Sequence, residues 1–257
     1  MNFNGNTWPL FLLILILFSC TSESETTLVE LWGEAQGTTY HIKYRATGAL
    51  NYQDEIDRLL KHIDQSLSTY LPNSIVSKIN QGDLSTEVDT LFIEVFNKSM
   101  EVAENTNGAF DPTVAPLVNI WGFGFTGSEN ADSFIVDSLR QFVDYKKVRL
   151  QNGKVQKNDS LPWFQLDFNG IAQGYSVDLI GRLLTSKGIG NFMIELGGEV
   201  ITKGKNENEE LWKIGIDKPE EGLEQRVLQA VVKLSGRAIS TSGNYRKFYV
   251  KNGIKYS

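Results

Sequence analysis

Asp167-Phe168-Asn169-Gly170-Ile171-Ala172-Gln173-Gly174-Tyr175 places a carboxylate at the end of an apolar run and two glycines at the start of a helical pattern. The first N–H groups of a helix have no partners within it and can hold a phosphate, and glycine lets the backbone come close to a ligand. The same letters also fit a plain capped helix after a strand, and neither GxGxxG nor the Walker pattern is present. A second stretch, Gly108-Ala109-Phe110-Asp111-Pro112-Thr113-Val114-Ala115-Pro116-Leu117, leads through Trp121 to Gly122-Phe123-Gly124. Such a rigid, aromatic-rich loop can hold a planar ring, and it can equally end a helix and cover a core. Ser68-Thr69-Tyr70-Leu71-Pro72 carries the same two readings. Glu195-Leu196-Gly197-Gly198-Glu199 is a glycine turn and Ser240-Thr241-Ser242-Gly243-Asn244-Tyr245 a hydroxyl-rich one, and simple punctuation accounts for either.

Other chemistries are excluded by what the sequence lacks. Its two histidines, His41 and His62, stand in no HExxH, and no GxSxG is present. The first falls on a polar strand face and the second off an apolar helix stripe, so solvated roles are expected for both. The single cysteine, Cys20, permits neither an intrachain disulfide nor a thiolate metal cluster. With a formal net charge of −6 and no stripe of Lys and Arg among aromatics, nucleic-acid binding is not expected. The 257 residues are 41% hydrophobic, which supplies a substantial core and argues against disorder.

The elements that must position these residues are legible from periodicity. Residues 29–44 read as an opening strand pair, with Tyr40, Ile42 and Tyr44 on one face and His41 and Lys43 on the other. Ile56, Leu59, Leu60, Ile63 and Leu67 predict a helix over 54–67, with Asp54 and Glu55 suited to its N-terminal dipole. A second helix over 89–105 should bury Leu91, Phe92, Val95, Phe96 and Val102 and end at Asn107-Gly108 in a left-handed cap. A third is expected over 132–145, followed by a hairpin turning on Asn152-Gly153. Residues 164–168 read as a strand, and 171–184 as a helix with Ala172, Tyr175, Leu179, Ile180 and Leu183 on one face. The rest is strand-rich, at 192–196, 212–216, 227–234, 238–240 and 248–256. Strands and helices alternate irregularly, without repeats, which favours an α+β fold in one compact unit.

The N-terminus has its own logic. Residues 10–18 are almost wholly Leu, Ile and Phe, about half of the roughly 20 apolar residues that a bilayer span needs. That length suits the core of a signal peptide. The run closes as Leu17-Phe18-Ser19-Cys20, which resembles a bacterial lipobox, and the polar residues 21–27 follow as a tether. The expectation is a signal peptide over 1–19, lipidation at Cys20, a tether over 20–28 and a folded domain over 29–257.

Taken in order, the segments resemble the ApbE family of FAD:protein FMN transferases. Gly37-Thr38-Thr39-Tyr40 matches the family's opening motif, Ser68-Thr69-Tyr70 an early flavin-site segment, and 108–124 a long signature ending in WGFG. Residues 167–178 match the strand-to-helix motif, Glu195-Leu196-Gly197-Gly198-Glu199 the double-glycine turn, and 241–245 the TSG-x-Y segment. The resemblance implies a T-fold-like domain. It implies FAD as substrate, with Tyr70 near the isoalloxazine, Ala109, Phe110 and Asp111 forming one wall, and Asp167 and Gln173 in further contacts. It also implies Mg²⁺, with the Gly170 carbonyl as one ligand, consistent with that ion's preference for oxygen. Two departures stand out: Gln173 replaces the usual Lys or Glu, and Gln36 replaces a methionine common before Gly-Thr. The family continues past the match to Tyr256-Ser257 with a His-Ile-Ile-Asp-Pro-like motif and an acidic segment that supplies the main Mg²⁺ ligands. The expectation is therefore a partial sequence, with an edge strand around 248–256 short of partners.

The implied activity is transfer of FMN from FAD to a threonine hydroxyl of an acceptor protein, with AMP leaving; the residues name no general base. The implied acceptor is a flavin-carrying subunit of a membrane redox complex, and the implied location is lipid-anchored at the periplasmic face of the bacterial inner membrane. Hydrolysis of FAD to AMP and FMN, a non-catalytic FAD-binding lipoprotein, and a solute-binding lipoprotein are the alternatives.

Overall fold

Alternating apolar residues force one face of the opening strands into the interior, and the rest of the fold is built on that face. A computed structural model describes residues 26–48, 50–124, 132–219, 227–243, 248–251 and 253–256. Strands β1 (Thr26–Ala35) and β2 (Thr38–Thr47) form a long hairpin, as the pattern predicts. Three helical stretches follow: α1 (Gln53–Leu67), α2 (Ile75–Asn80) and α3 (Thr90–Asn105). Beyond them come α4 (Ala115–Ile120), α5 (Ser133–Arg140), the hairpin β3 (Val148–Gln151) and β4 (Lys154–Lys157), and the long α6 (Asn169–Ser186). The chain returns to strands with β5 (Phe192–Leu196), β6 (Glu199–Lys203), β7 (Trp212–Asp217), β8 (Leu228–Leu234), β9 (Arg237–Ser240), β10 (Tyr249–Lys251) and β11 (Ile254–Tyr256).

The central sheet is antiparallel, in the order β1-β2-β5-β6-β9, and the small pairs β3-β4, β7-β8 and β10-β11 stand apart from it. Register puts Tyr40 opposite Leu196, Ile42 opposite Ile194 and Tyr44 opposite Phe192, so all six share the inner face. Gly33 sits across from Tyr40, whose ring atoms lie 2.5 Å from where a β-carbon would stand. Only glycine leaves room for that ring. Against this face pack Ile56, Leu60 and Ile63 of α1, Phe92 and Phe96 of α3, and Ile180 and Leu184 of α6, all buried. Phe168 meets Phe92 edge to face at 5.3 Å, tying the entrance of α6 to α3. The architecture is α+β, as the irregular alternation predicts.

Local chemistry explains the boundaries. The Asp89 carboxylate accepts from the Phe92 N–H at 2.8 Å and from the Ser66 hydroxyl at 2.8 Å, capping α3 while holding it to α1. At the other end Asn107 (φ 52°) and Gly108 (φ 81°) turn left-handed, and the Gly108 N–H donates to the Ala103 carbonyl at 2.8 Å.

Several expectations need correction. The helix expected over 132–145 stops at Arg140: the Phe142 and Val143 N–H groups turn back to the Leu139 and Arg140 carbonyls at 2.9 and 3.1 Å, and beyond them Asp144 N–H goes to the Thr113 hydroxyl at 2.9 Å and Tyr145 N–H to the Asp111 carboxylate at 3.0 Å. Residues 164–168 are buried in alternation but join no sheet. The Asn80 amide replaces the ladder, bonding the N–H and the C=O of Leu166 at 2.7 and 2.8 Å. The buried stripe of α6 is Ser176, Val177, Ile180, Gly181 and Leu184, which leaves Tyr175, Leu179 and Leu183 at its margin. In α3, Leu91 and Val102 are only half-buried. Strands β10 and β11 pair antiparallel with each other, Tyr249 opposite Tyr256, so they are not one partnerless edge strand. His41 lies on the polar strand face as expected but is only part-exposed, 18% for its side chain: it stacks on Trp32 at 3.3 Å and meets Glu30 at 3.3 Å, and burial lowers its pKa. His62 is solvent-exposed, as expected.

Candidate active site

Five segments meet around a cavity of about 1190 Å³. The β1–β2 turn brings Gln36 and Gly37, the last turn of α1 and the loop after it bring Asp64, Leu67, Ser68 and Tyr70, and the loop between α3 and α4 brings Gly108, Ala109, Phe110 and Asp111. Arg140 and Val143 come from the end of α5, and Asp167, Asn169, Gly170 and Gln173 from the entrance of α6. The seven residues singled out by resemblance (Tyr70, Ala109, Phe110, Asp111, Asp167, Gly170 and Gln173) thus line one space, although up to 103 positions separate them. Cys20 and residues 244–247 lie outside the described residues.

Each wall has a local cause. The Asp111 carboxylate accepts from the Thr113 N–H and hydroxyl at 2.8 and 2.6 Å and from the Tyr145 N–H at 3.0 Å. This clamp fixes the turn that presents Ala109 and Phe110. Pro112 contributes its carbonyl to the Asp167 N–H at 2.8 Å, so the aromatic loop and the α6 entrance are joined at the backbone. Phe110 lies close over Gly170, its Cε2 3.2 Å from where a β-carbon would be. On the far side of the loop, Trp121 packs on Tyr256 at 5.7 Å and Phe123 on Tyr249 at 5.4 Å, which sets the β10–β11 hairpin against the WGFG segment.

The Asp167 carboxylate takes the Asn169 N–H at 2.7 Å, an Asx-type bond that satisfies the first orphan donor of α6. Burial nevertheless dominates and raises its pKa above the ordinary carboxylate value. Gln173 reaches back over the β5–β6 turn, where Gly197 (φ 60°) and Gly198 (φ 102°) supply two left-handed positions in succession. A β-carbon at Gly198 would stand 3.2 Å from the Thr241 carbonyl oxygen, so that turn also carries the start of the TSG segment beside the site.

Sequence reasoning missed part of the lining. Asp64, Leu67, Val118, Arg140 and Val143 all face the cavity. Gln36 was visible only as a departure. Its Nε2 donates to the Ser176 hydroxyl at 2.7 Å, and that hydroxyl donates onward to the Ala172 carbonyl at 2.8 Å. This chain fixes the amide orientation and leaves Gln36 Oε1 buried without a partner. Among the described residues, no cluster of three or more His, Cys, Asp or Glu can hold a metal by itself.

An antiparallel sheet backed by helices, with an acidic, aromatic-walled cavity at a helix entrance, defines a ligand-binding α+β domain. The sequence profile of the ApbE family matches residues 36–257, and the chain belongs to that family. It is similar to the FAD:protein FMN transferase of Vibrio cholerae serotype O1, 34% identical over 252 residues that cover 95% of this chain and 74% of the relative. The solved flavin transferase ApbE from Vibrio cholerae superposes with a TM-score of 0.75 at 33% identity, covering 88% of this chain and 75% of that one. The apo flavinyl transferase ApbE from Pseudomonas stutzeri gives a TM-score of 0.78 at 29% identity, covering 90% and 73%.

Proposed function

We propose that this chain is a FAD:protein FMN transferase whose cavity binds FAD, with FMN passing to a threonine hydroxyl of an acceptor flavoprotein. One observation carries the reading: all seven residues given by the resemblance line the same 1190 Å³ space. In the reaction the threonine Oγ forms a bond to the FMN phosphorus, the bridging P–O bond breaks, and AMP leaves with the bridging oxygen. The hydroxyl proton passes to a base.

The chain's own residues bind and orient. Phe110 and Tyr70 offer ring faces for the isoalloxazine, and Asp111 holds the Phe110 wall in place. Asp167 and Gln173 offer hydrogen bonds at the α6 entrance, with Gln173 contributing no charge. Among the described residues the lining carries three carboxylates (Asp64, Asp111 and Asp167) against one guanidinium, Arg140. A pyrophosphate with about two negative charges enters such a space only with a cation beside it. The oxygen donors of the lining would fit Mg²⁺, which the Gly170 carbonyl would help to hold. The chemistry that such an ion would supply is neutralisation of phosphate charge. The apolar run over 10–18 and Cys20 support anchoring by lipid in the cell envelope; the acceptor would be a flavin-carrying subunit of a membrane redox complex.

The test incubates the full chain with FAD, Mg²⁺ and a flavin-carrying acceptor subunit. The expected products are AMP and an acceptor heavier by covalent FMN, read by mass spectrometry. Intact FAD with unmodified acceptor overturns the proposal, and free FMN released without acceptor replaces it with FAD hydrolysis.

A further inference from the structure

Two of the three cavity carboxylates have protein donors and one does not. Asp111 accepts three hydrogen bonds, and Asp167 is partnered by Asn169. Among the described residues the Asp64 carboxylate has no hydrogen-bond or ion-pair partner, although its residue is half-buried and burial raises its pKa. Its position adds a second cost. Asp64 stands three residues before the end of α1, where the helix dipole disfavours negative charge. Its main-chain carbonyl accepts the Ser68 N–H at 3.1 Å, a helix-end bond that asks nothing of the side chain. A carboxyl that is desolvated, unpartnered and at the wrong end of a dipole weakens the fold, and such groups cluster where a ligand completes them.

The chemistry of that ligand follows from the surroundings. Ile63, Leu67 and Leu71 make this end of the cavity apolar, and Tyr70 adds an aromatic face, so a planar ring fits here better than a pyrophosphate. A carboxylate repels phosphate and accepts from N–H. We infer that Asp64 is a specificity-determining residue, whose carboxylate accepts a hydrogen bond from the N–H edge of a heteroaromatic ring of FAD. The inference rests on the FAD reading above. That edge has two sources on the substrate, the imide N–H of the isoalloxazine and the exocyclic amine of adenine.

The experiment measures affinities of the full chain and of Asp64→Ala for three probes in Mg²⁺: FAD, FAD methylated at the imide nitrogen, and the analogue with hypoxanthine in place of adenine. The wild type is expected to prefer FAD over one analogue by about tenfold, the worth of one hydrogen bond to a charged group. Asp64→Ala should bring that preference to about unity, and the analogue concerned identifies the ring. The variant should melt no lower than the wild type, since the side chain removed has no protein partner. Preferences unchanged by the substitution, or an equal loss for all three probes with a lower Tm, assign Asp64 to the fold and overturn the inference. If the wild type binds none of the probes, the FAD reading itself falls and takes this inference with it; FAD binding with preferences indifferent to Asp64 overturns only the inference.

Discussion

The Asp111 turn and the entrance of α6 adjoin in the cavity wall, each with a carboxylate, and the protein treats the two oppositely. Asp111 is saturated: two backbone N–H groups and a hydroxyl converge on it, binding its loop to residues 144–145. Asp167 is held by Asn169 alone among the described residues, and is buried enough to raise its pKa. The contrast separates a group that builds the wall from one held ready for what enters. Similar residue type and similar placement therefore predict different consequences on substitution.

The largest effect is expected at the saturated side. Asp111→Ala should destabilise the domain by about 3 kcal/mol, because three donors lose a charged acceptor, two of them in the backbone. That corresponds to a fall in Tm of about 6–12 °C for a domain of this size, measurable by calorimetry. A loss of flavin binding without any fall in Tm would place Asp111 with Asp167 and erase the contrast.

At the Asp167 side the order reverses. Asp167→Asn keeps the acceptor for the Asn169 N–H and removes a desolvated charge, so its Tm at neutral pH should equal or exceed the wild type's. The sign follows from linkage. With its pKa raised in the folded state, Asp167 holds a proton there after the unfolded chain has released it. Its contribution is neutral below the unfolded value of 3.8, falls as pH rises from there through the folded value, and is flat beyond. The difference in unfolding free energy, Asp167→Asn minus wild type, should thus grow over that window in denaturant titrations. A difference that shrinks with pH would mean that the carboxylate is stabilised, not strained, by its site.

A smaller effect should come from the seam between the two sides. Phe110 rests on Gly170 with 3.2 Å to a hypothetical β-carbon, so Gly170→Val must tilt the ring by a few tenths of an ångström or more. Fluorescence titration should show FAD affinity reduced about tenfold, with little change in Tm. Unchanged affinity would mean that the Phe110 face is not part of the ring's wall.

How much of this was legible in the sequence depends on whether the information was local. The Asp111 turn and the α6 entrance are contiguous motifs, so both appeared intact, as did the Asn152-Gly153 hairpin. Residues 164–168 misled because alternation reports burial alone. Their backbone is satisfied by Asn80, a side chain 86 positions from Leu166, and no pattern within five residues reveals that. Asp64 was invisible for a related reason. In an amphipathic helix, an acid next to Ile63 reads as part of the solvated face until the loop over 108–111 closes the other side of the cavity. The course of the chain after α5 was set by bonds from Thr113 and Asp111, again made at a distance.

The most direct test of the division between wall and ligand side is the FAD affinity of Asp167→Asn in Mg²⁺, titrated calorimetrically beside its thermal melt. The account predicts affinity reduced about tenfold or more with a Tm at or above the wild type's. Wild-type affinity in that variant, or a loss matched by a lower Tm, would contradict it.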